Sequence, residues 1–174
     1  MHSIKTPDSC FQNLQDFPYQ PNYQTIEDGD GGELTMHYVE EGPLDGPLIL
    51  CVHGQPVWSY SFRKMIPPLT DAGYRVVVPD LVGFGRSDKP TNPEDYTFAN
   101  HVKWMHDFIR RKELSEITLV CQDWGGAISL RIVASDPGRF SRVVVSNTGL
   151  ADARGLTLDM SEKLKRLLGS TPVL

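Results

Sequence analysis

Hydrophobic positions along this chain come in two alternating textures. Short continuous apolar runs occur at 47–54 ("PLILCVHG"), 74–80 ("YRVVVPD"), 117–123 ("ITLVCQD") and 142–147 ("RVVVSN"). Runs of that length without polar interruption suit strands covered on both faces. Between them lie segments with helical spacing. Residues 58–69 predict a helix ended by Pro67 and Pro68. Residues 97–112 carry Phe98, Val102, Met105 and Ile109 at the spacing of a core-facing amphipathic helix, and 124–135 predict another. Ahead of these, 22–27 and 34–40 predict two strands joined by the turn "DGDGG" (28–32); Leu34 to Val39 alternate loosely, as a half-exposed edge pair does. Strand and helix in alternation with short links predict an α/β fold, a mostly parallel sheet with helices on both faces. Such sheets bind ligands at the carboxyl ends of their strands. A last segment, 158–170, predicts a further helix: Asp159 serves as N-cap with Glu162 three residues on, Leu164, Leu167 and Leu168 share a face, and Gly169 ends it.

Composition narrows the class. At 174 residues, 40% hydrophobic and 22% charged, the chain is long enough for one good core, burying about 70% of its unfolded surface. The net charge is −5, its acids are scattered, and no basic stripe exists to track phosphates, which argues against a nucleic-acid partner. The one basic cluster, Arg110-Arg111-Lys112, falls where it complements a helix dipole. Cys10, Cys51 and Cys121 are an odd count without paired spacing, and two sit in apolar runs, as small buried hydrophobes of a reducing compartment do. The opening "MHSIKTPDSCFQNL" has no apolar signal core and no stretch approaches membrane-spanning length, so a cytoplasmic protein without a membrane partner is expected. No clustered His, Cys or Asp ligand set, P-loop or G-x-G-x-x-G occurs, so neither metal nor organic cofactor is expected.

The chemistry concentrates in "VCQDWGG" (120–126). Asp123 stands where a buried strand gives way to a helix, with Cys121 and Gly125 two residues to either side. That small-x-acid-x-small shape is a nucleophile elbow, with aspartate where G-x-S-x-G has serine. Residues two away must be small for strand and helix to approach. The alternative is that Asp123 merely caps its helix, which aspartate does well. Two further segments bear on the choice. "VHGQP" (52–56) ends an earlier strand and offers the Gln55 N–H as an oxyanion donor, and "GFGRSDKP" (83–90) follows the strand between them. His53 reads as scaffold of the oxyanion loop rather than a base; His101 and His106 as solvated or packed; Asp80 and Asp88 as loop-ordering; Trp58 and Trp104 as packing aromatics, with the alternative that Trp58, which follows the oxyanion loop, approaches the pocket.

"HGQPVWSYSFRKMIPPL", "VPDLVGFGRSDKP", "DYTF" and "ITLVCQDWGG" together resemble the haloalkane dehalogenases of the α/β-hydrolase superfamily, from about residue 4 to about residue 150. The resemblance implies that Asp123 is the nucleophile attacking a halogen-bearing carbon. It implies that Trp124 donates to the leaving halide, and that Gln55, in a loop supported by His53, Gly54 and Pro56, completes the oxyanion and halide site. Gln55 departs from the Asn or Glu common there, so its backbone N–H is the firmer assignment. The chemistry suits an acid. Serine would form an ether that water does not readily cleave, whereas a carboxylate, already ionised at neutral pH, forms a hydrolysable ester. The implied partners are a small halogenated aliphatic substrate and water.

Hydrolysis of that ester calls for a histidine held by a further acid, in the order nucleophile, acid, histidine. No histidine follows His106 and no tryptophan follows Trp124, so the histidine and the second, cap-borne halide tryptophan of the resembled family have no counterpart. Asn147 ends the next strand, where one subfamily carries its acid as Glu. The expected organisation is therefore the N-terminal part of an α/β-hydrolase core at 1–150 and the start of a cap region at 151–174, a fragment or truncated form not competent for turnover. The rival readings are an epoxide hydrolase, which shares Asp-Trp-Gly-Gly, a cofactor-free luciferase with the same acid, and a non-catalytic remnant or binding module. A serine esterase is excluded at the elbow.

Overall fold

The computed structural model describes residues 1–149. In chain order its elements are β1 (Ser3–Ile4), β2 (Asn22–Glu27), β3 (Glu33–Glu41), β4 (Leu48–Val52), α1 (Ile66–Asp71), β5 (Arg75–Pro79), β6 (Lys89–Pro90), α2 (Phe98–Arg111), β7 (Ile117–Gln122), α3 (Asp123–Ser135) and β8 (Phe140–Ser146). Six strands form one sheet in the order β2-β3-β5-β4-β7-β8. The pairs β5–β4, β4–β7 and β7–β8 are parallel, while β2–β3 and β3–β5 are antiparallel. This is the α/β architecture expected from the alternation. The expected helix at 158–170 and the region 151–174 lie outside the described residues.

The continuous apolar runs behave as double-sided burial requires. Every residue of β4 is buried. One face of the sheet is covered by α2 and α3, which bring Trp104, Met105, Phe108, Ile128 and Ile132 onto Leu50, Val77 and Leu119. The other face meets Phe62 and Ile66, packed on Val39, Ile49, Cys51, Val76 and Val78. Trp104 is buried outright because its indole N–H finds the Asp28 carbonyl at 2.9 Å.

Three local expectations are corrected. Pro67 and Pro68 do not end a helix over 58–69; they open α1, after a separate 3₁₀ turn at Ser59–Phe62. In the first helical turn a missing N–H costs nothing and the fixed φ of proline is already helical. Strands β2 and β3 form the expected antiparallel pair at one edge of the sheet, but β3 is not half-exposed, since it lies between β2 and β5 and buries Leu34, Met36, His37, Tyr38 and Val39. On α2, capped by the Thr97 hydroxyl, Phe98 does not join the core but stays exposed, while Trp104 and Phe108 take core positions.

The first twenty residues lie across the molecule. Strand β1 pairs with β6, Phe11 and Phe17 set their rings edge-on against Trp58, and the Arg86 guanidinium stacks 4.2 Å over Phe11. Trp58 is thereby a packing residue. The loop 81–90 is held from outside by this lead-in and from below by the sheet.

Candidate active site

Because β5, β4, β7 and β8 run in parallel, the segments that follow them emerge on one edge of the sheet. Those segments are 80–88, 53–57, Asp123 onward, and Asn147–Thr148. Asp123 is the first residue of α3 and has φ of +50°, left-handed backbone that a residue with a Cβ seldom adopts. Its N–H donates to the Asn147 carbonyl at 3.2 Å. The Asp123 carboxylate does not cap its own helix. Oδ1 instead accepts the Gln55 backbone N–H at 2.9 Å, from a segment 68 residues away in sequence.

The glycines around the acid are there for space. A Cβ on Gly54 would stand 2.3 Å from Asp123 Oδ1 and 2.4 Å from Asp123 Cβ. One on Gly125 would stand 2.2 Å from the His53 carbonyl oxygen, so strand end and helix start meet only because that residue has no side chain. Cys121, the small residue on the other side, is buried, and burial pushes its thiol up to about 11, leaving it a protonated spacer.

His53 is wholly buried and both ring nitrogens are engaged. Nε2 accepts the Leu81 N–H at 2.9 Å, so Nδ1 carries the proton and donates to the Gly54 carbonyl at 2.7 Å. Burial holds its pKa below the ordinary value, against the pull of Asp80 and of the Gly54 bond. A ring with no free nitrogen and a penalty on its charge is a strut, not a base. Below it Asp80 accepts the His37 Nδ1–H at 2.7 Å and the Ser59 and Arg86 N–H groups at 2.8 and 2.9 Å. Burial works to raise this carboxyl, but the hydrogen bonds it accepts, that of His37 foremost and that of the Arg86 N–H beside it, prevail and hold the pKa low. Asp80 thus ties β3, the loop after β5 and the segment after β4 together. Asp88 ends the same loop, accepting the Thr35 N–H at 2.8 Å.

Trp124 is 41% exposed, its ring 6.4 Å from that of Phe98. Gln55 is half-buried and Pro56 exposed. The structure thus brings Asp123, Gln55, Gly54 and His53 into one bonded group, with Trp124 beside it on an open surface. One surface concavity lies elsewhere, lined by Asp45, Leu48, Arg75 and Thr118 near the opposite strand ends. Among the described residues no group of three or more His, Cys, Asp or Glu side chains is placed to hold a metal ion. His101 is buried and neutral, its pKa pushed down to about 4 by burial. The sequence reading missed Thr148, whose hydroxyl donates to the Asp123 carbonyl at 2.6 Å. Its only signal in the sequence is its position just after a strand that neighbours the elbow strand.

Residues 47–171 match the family described as alpha/beta hydrolase fold. A haloalkane dehalogenase of Psychrobacter cryohalolentis is 52% identical over 150 residues, 86% of this chain and 50% of the relative. One of Mycolicibacterium paratuberculosis is 51% identical over 157 residues, 90% of this chain and 52% of the relative. The chain spans about half the length of the curated relatives it matches. Among solved structures, a haloalkane dehalogenase of Paraglaciecola agarilytica superposes with a TM-score of 0.87 at 41% identity, covering 99% of this chain and 58% of that one. An epoxide hydrolase of Vigna radiata gives 0.69 at 31% identity, over 83% of this chain and 45% of that one.

Proposed function

The chain belongs to the alpha/beta hydrolase fold family, and from that premise we propose that it carries the nucleophilic half of a haloalkane dehalogenase. The observation that carries this reading is the Asp123 carboxylate, lifted on left-handed backbone and bound by the Gln55 N–H. With Oδ1 held there, Oδ2 is the oxygen left for attack. It bonds to the halogen-bearing carbon from the side opposite the halogen. The carbon–halogen bond breaks and the halide leaves with the bonding pair. An indole N–H is a donor with no competing acceptor, so Trp124 steadies the departing anion. The product of this step is an alkyl ester whose carbonyl oxygen is the one on the Gln55 N–H. That donor then serves the oxyanion when water attacks the ester carbon.

Water attack requires a general base. The 174 residues contain five histidines, His2, His37, His53, His101 and His106. His37, His53 and His101 are buried, His106 pairs with Asp136, and His2 lies against Thr91. None of them hydrogen-bonds to the Asp123 carboxylate among the described residues, so on this reading these 174 residues carry the first step and no base for the second.

Mass spectrometry after incubation with 1-bromobutane tests this. A single butyl group is expected on the Asp123 peptide, with at most one bromide released per chain and none captured by Asp123→Asn. Absence of the adduct overturns the nucleophile, and repeated turnover overturns the arrested second step. The likeness to the Vigna radiata epoxide hydrolase supports a second reading, in which the same acid opens an epoxide. Adduct formation with butylene oxide but not with bromobutane would favour it.

A further inference from the structure

The turn after β8 holds the nucleophile from outside its own elbow. Both backbone groups of Asp123 are bound by two consecutive residues of that turn. The Asp123 N–H donates to the Asn147 carbonyl at 3.2 Å, and the Thr148 hydroxyl donates to the Asp123 carbonyl at 2.6 Å. Asp123 and Asn147 are both left-handed, with φ of +50° and +45°, and neither is glycine. Strained backbone of this kind persists only where the surroundings over-determine it. The fit of Thr148 is independently visible at Gly126, where a Cβ would stand 2.4 Å from the Thr148 hydroxyl oxygen and 2.5 Å from its methyl carbon. The second glycine of "DWGG" therefore makes room for this side chain, as the first does for the His53 carbonyl.

We propose that Thr148 is a positioning residue for the Asp123 carboxylate. With Asn147 it forms a two-point clamp that keeps the elbow left-handed and so keeps Oδ1 on the Gln55 N–H and Oδ2 turned to the substrate. The clamp rests on the reading of Asp123 as nucleophile. A hydroxyl is required at 148, because its methyl alone fills space beside Gly126 but holds nothing. When the bond is lost the elbow relaxes and the carboxylate spends less time in the attacking geometry, and displacements on that scale slow reactions by roughly 10- to 100-fold.

The test follows the rate of Asp123 butylation in the full 174-residue chain. Thr148→Val, which keeps the shape and removes the hydroxyl, should slow it roughly tenfold or more at an unchanged folded fraction. Thr148→Ser should restore most of the rate, which a purely space-filling role would not. Gly126→Ala should reproduce the loss by pushing the Thr148 hydroxyl away, and covers the case of a poorly folded valine variant. Wild-type rates in both Thr148→Val and Gly126→Ala overturn the clamp, as does a serine variant no faster than valine. If the wild-type chain forms no adduct, the nucleophile reading fails by itself. The clamp is then read from hydrogen exchange of the Asp123 amide, which should quicken about tenfold or more in Thr148→Val; unchanged exchange overturns it.

Discussion

Asp123 is exposed and sits in a backbone conformation that its own Cβ disfavours. Its neighbours supply the constraint: the lack of side chains at Gly54 after β4 and at Gly125 in the first turn of α3, the Gln55 N–H, and the pair Asn147–Thr148. Gly54 is the most sensitive of these. Replacing it with alanine sets a methyl carbon onto Asp123 Cβ and Oδ1, so the carboxylate must move. We expect Gly54→Ala to lose about 1–3 kcal/mol of stability, as overpacking does, and about 100-fold in alkylation rate, read by chemical denaturation and by adduct formation. The elbow itself was legible in the sequence, because small-x-Asp-x-small is a local steric requirement. So was the scaffold role of His53, although not its single tautomer. Thr148 was not legible: it reaches Asp123 across 25 residues, and only strand order brings it there.

At the scale of elements, sequence periodicity located the strands and α2 closely, while the orientation of side chains followed from neighbours. Phe98 has helical spacing with the core residues of α2 but lies at its first turn, exposed and beside Trp124. The basic cluster at the end of α2 does more than complement a dipole. Arg111 bonds Asp107 and Glu27, and Lys112 reaches Glu40 and the Tyr38 hydroxyl, both at 3.1 Å. Glu40, on β3, also accepts the Arg75 Nε–H at 2.8 Å and is only 13% exposed. Burial would raise its carboxyl, but the bonds from Arg75 and Lys112 prevail and hold its pKa below the ordinary value. A lowered pKa in the folded state stabilises the fold above the unfolded value of about 4.5, and the gain is lost as pH falls through the folded value. Neighbouring Glu41, raised by burial, acts in the opposite sense. We therefore expect Glu40→Gln to cost about 2 kcal/mol near neutrality and to flatten the acid limb of a stability-against-pH curve. An acid limb as steep as the wild type's would contradict the assignment.

At the scale of the whole molecule, the sheet gathers four strand ends at one edge and leaves β8 at its border. Among the described residues β8 pairs with β7 alone, and Val143, Val144 and Val145 are 39%, 52% and 49% exposed. An apolar border with unpaired backbone groups recruits other strands. The 174-residue chain is expected to self-associate, and Val144→Lys to shift it toward monomer, as light scattering after size exclusion would register; a monodisperse wild-type monomer would contradict this. Among the described residues no helix is long and apolar enough to cross a membrane. The α/β class, the main strand positions, the strand-to-helix turn at Asp123 and the turn His53–Pro56 after β4 could be read from the chain alone, because each depends on contacts within a few residues or on burial of a continuous run. Only the packed fold decides which carboxylate oxygen of Asp123 is bound, which His53 nitrogen carries the proton, that Pro67 and Pro68 begin a helix, and that the Thr148 hydroxyl donates to the Asp123 carbonyl. Those outcomes depend on which strands lie side by side, and side-by-side placement is settled by packing across the whole sheet.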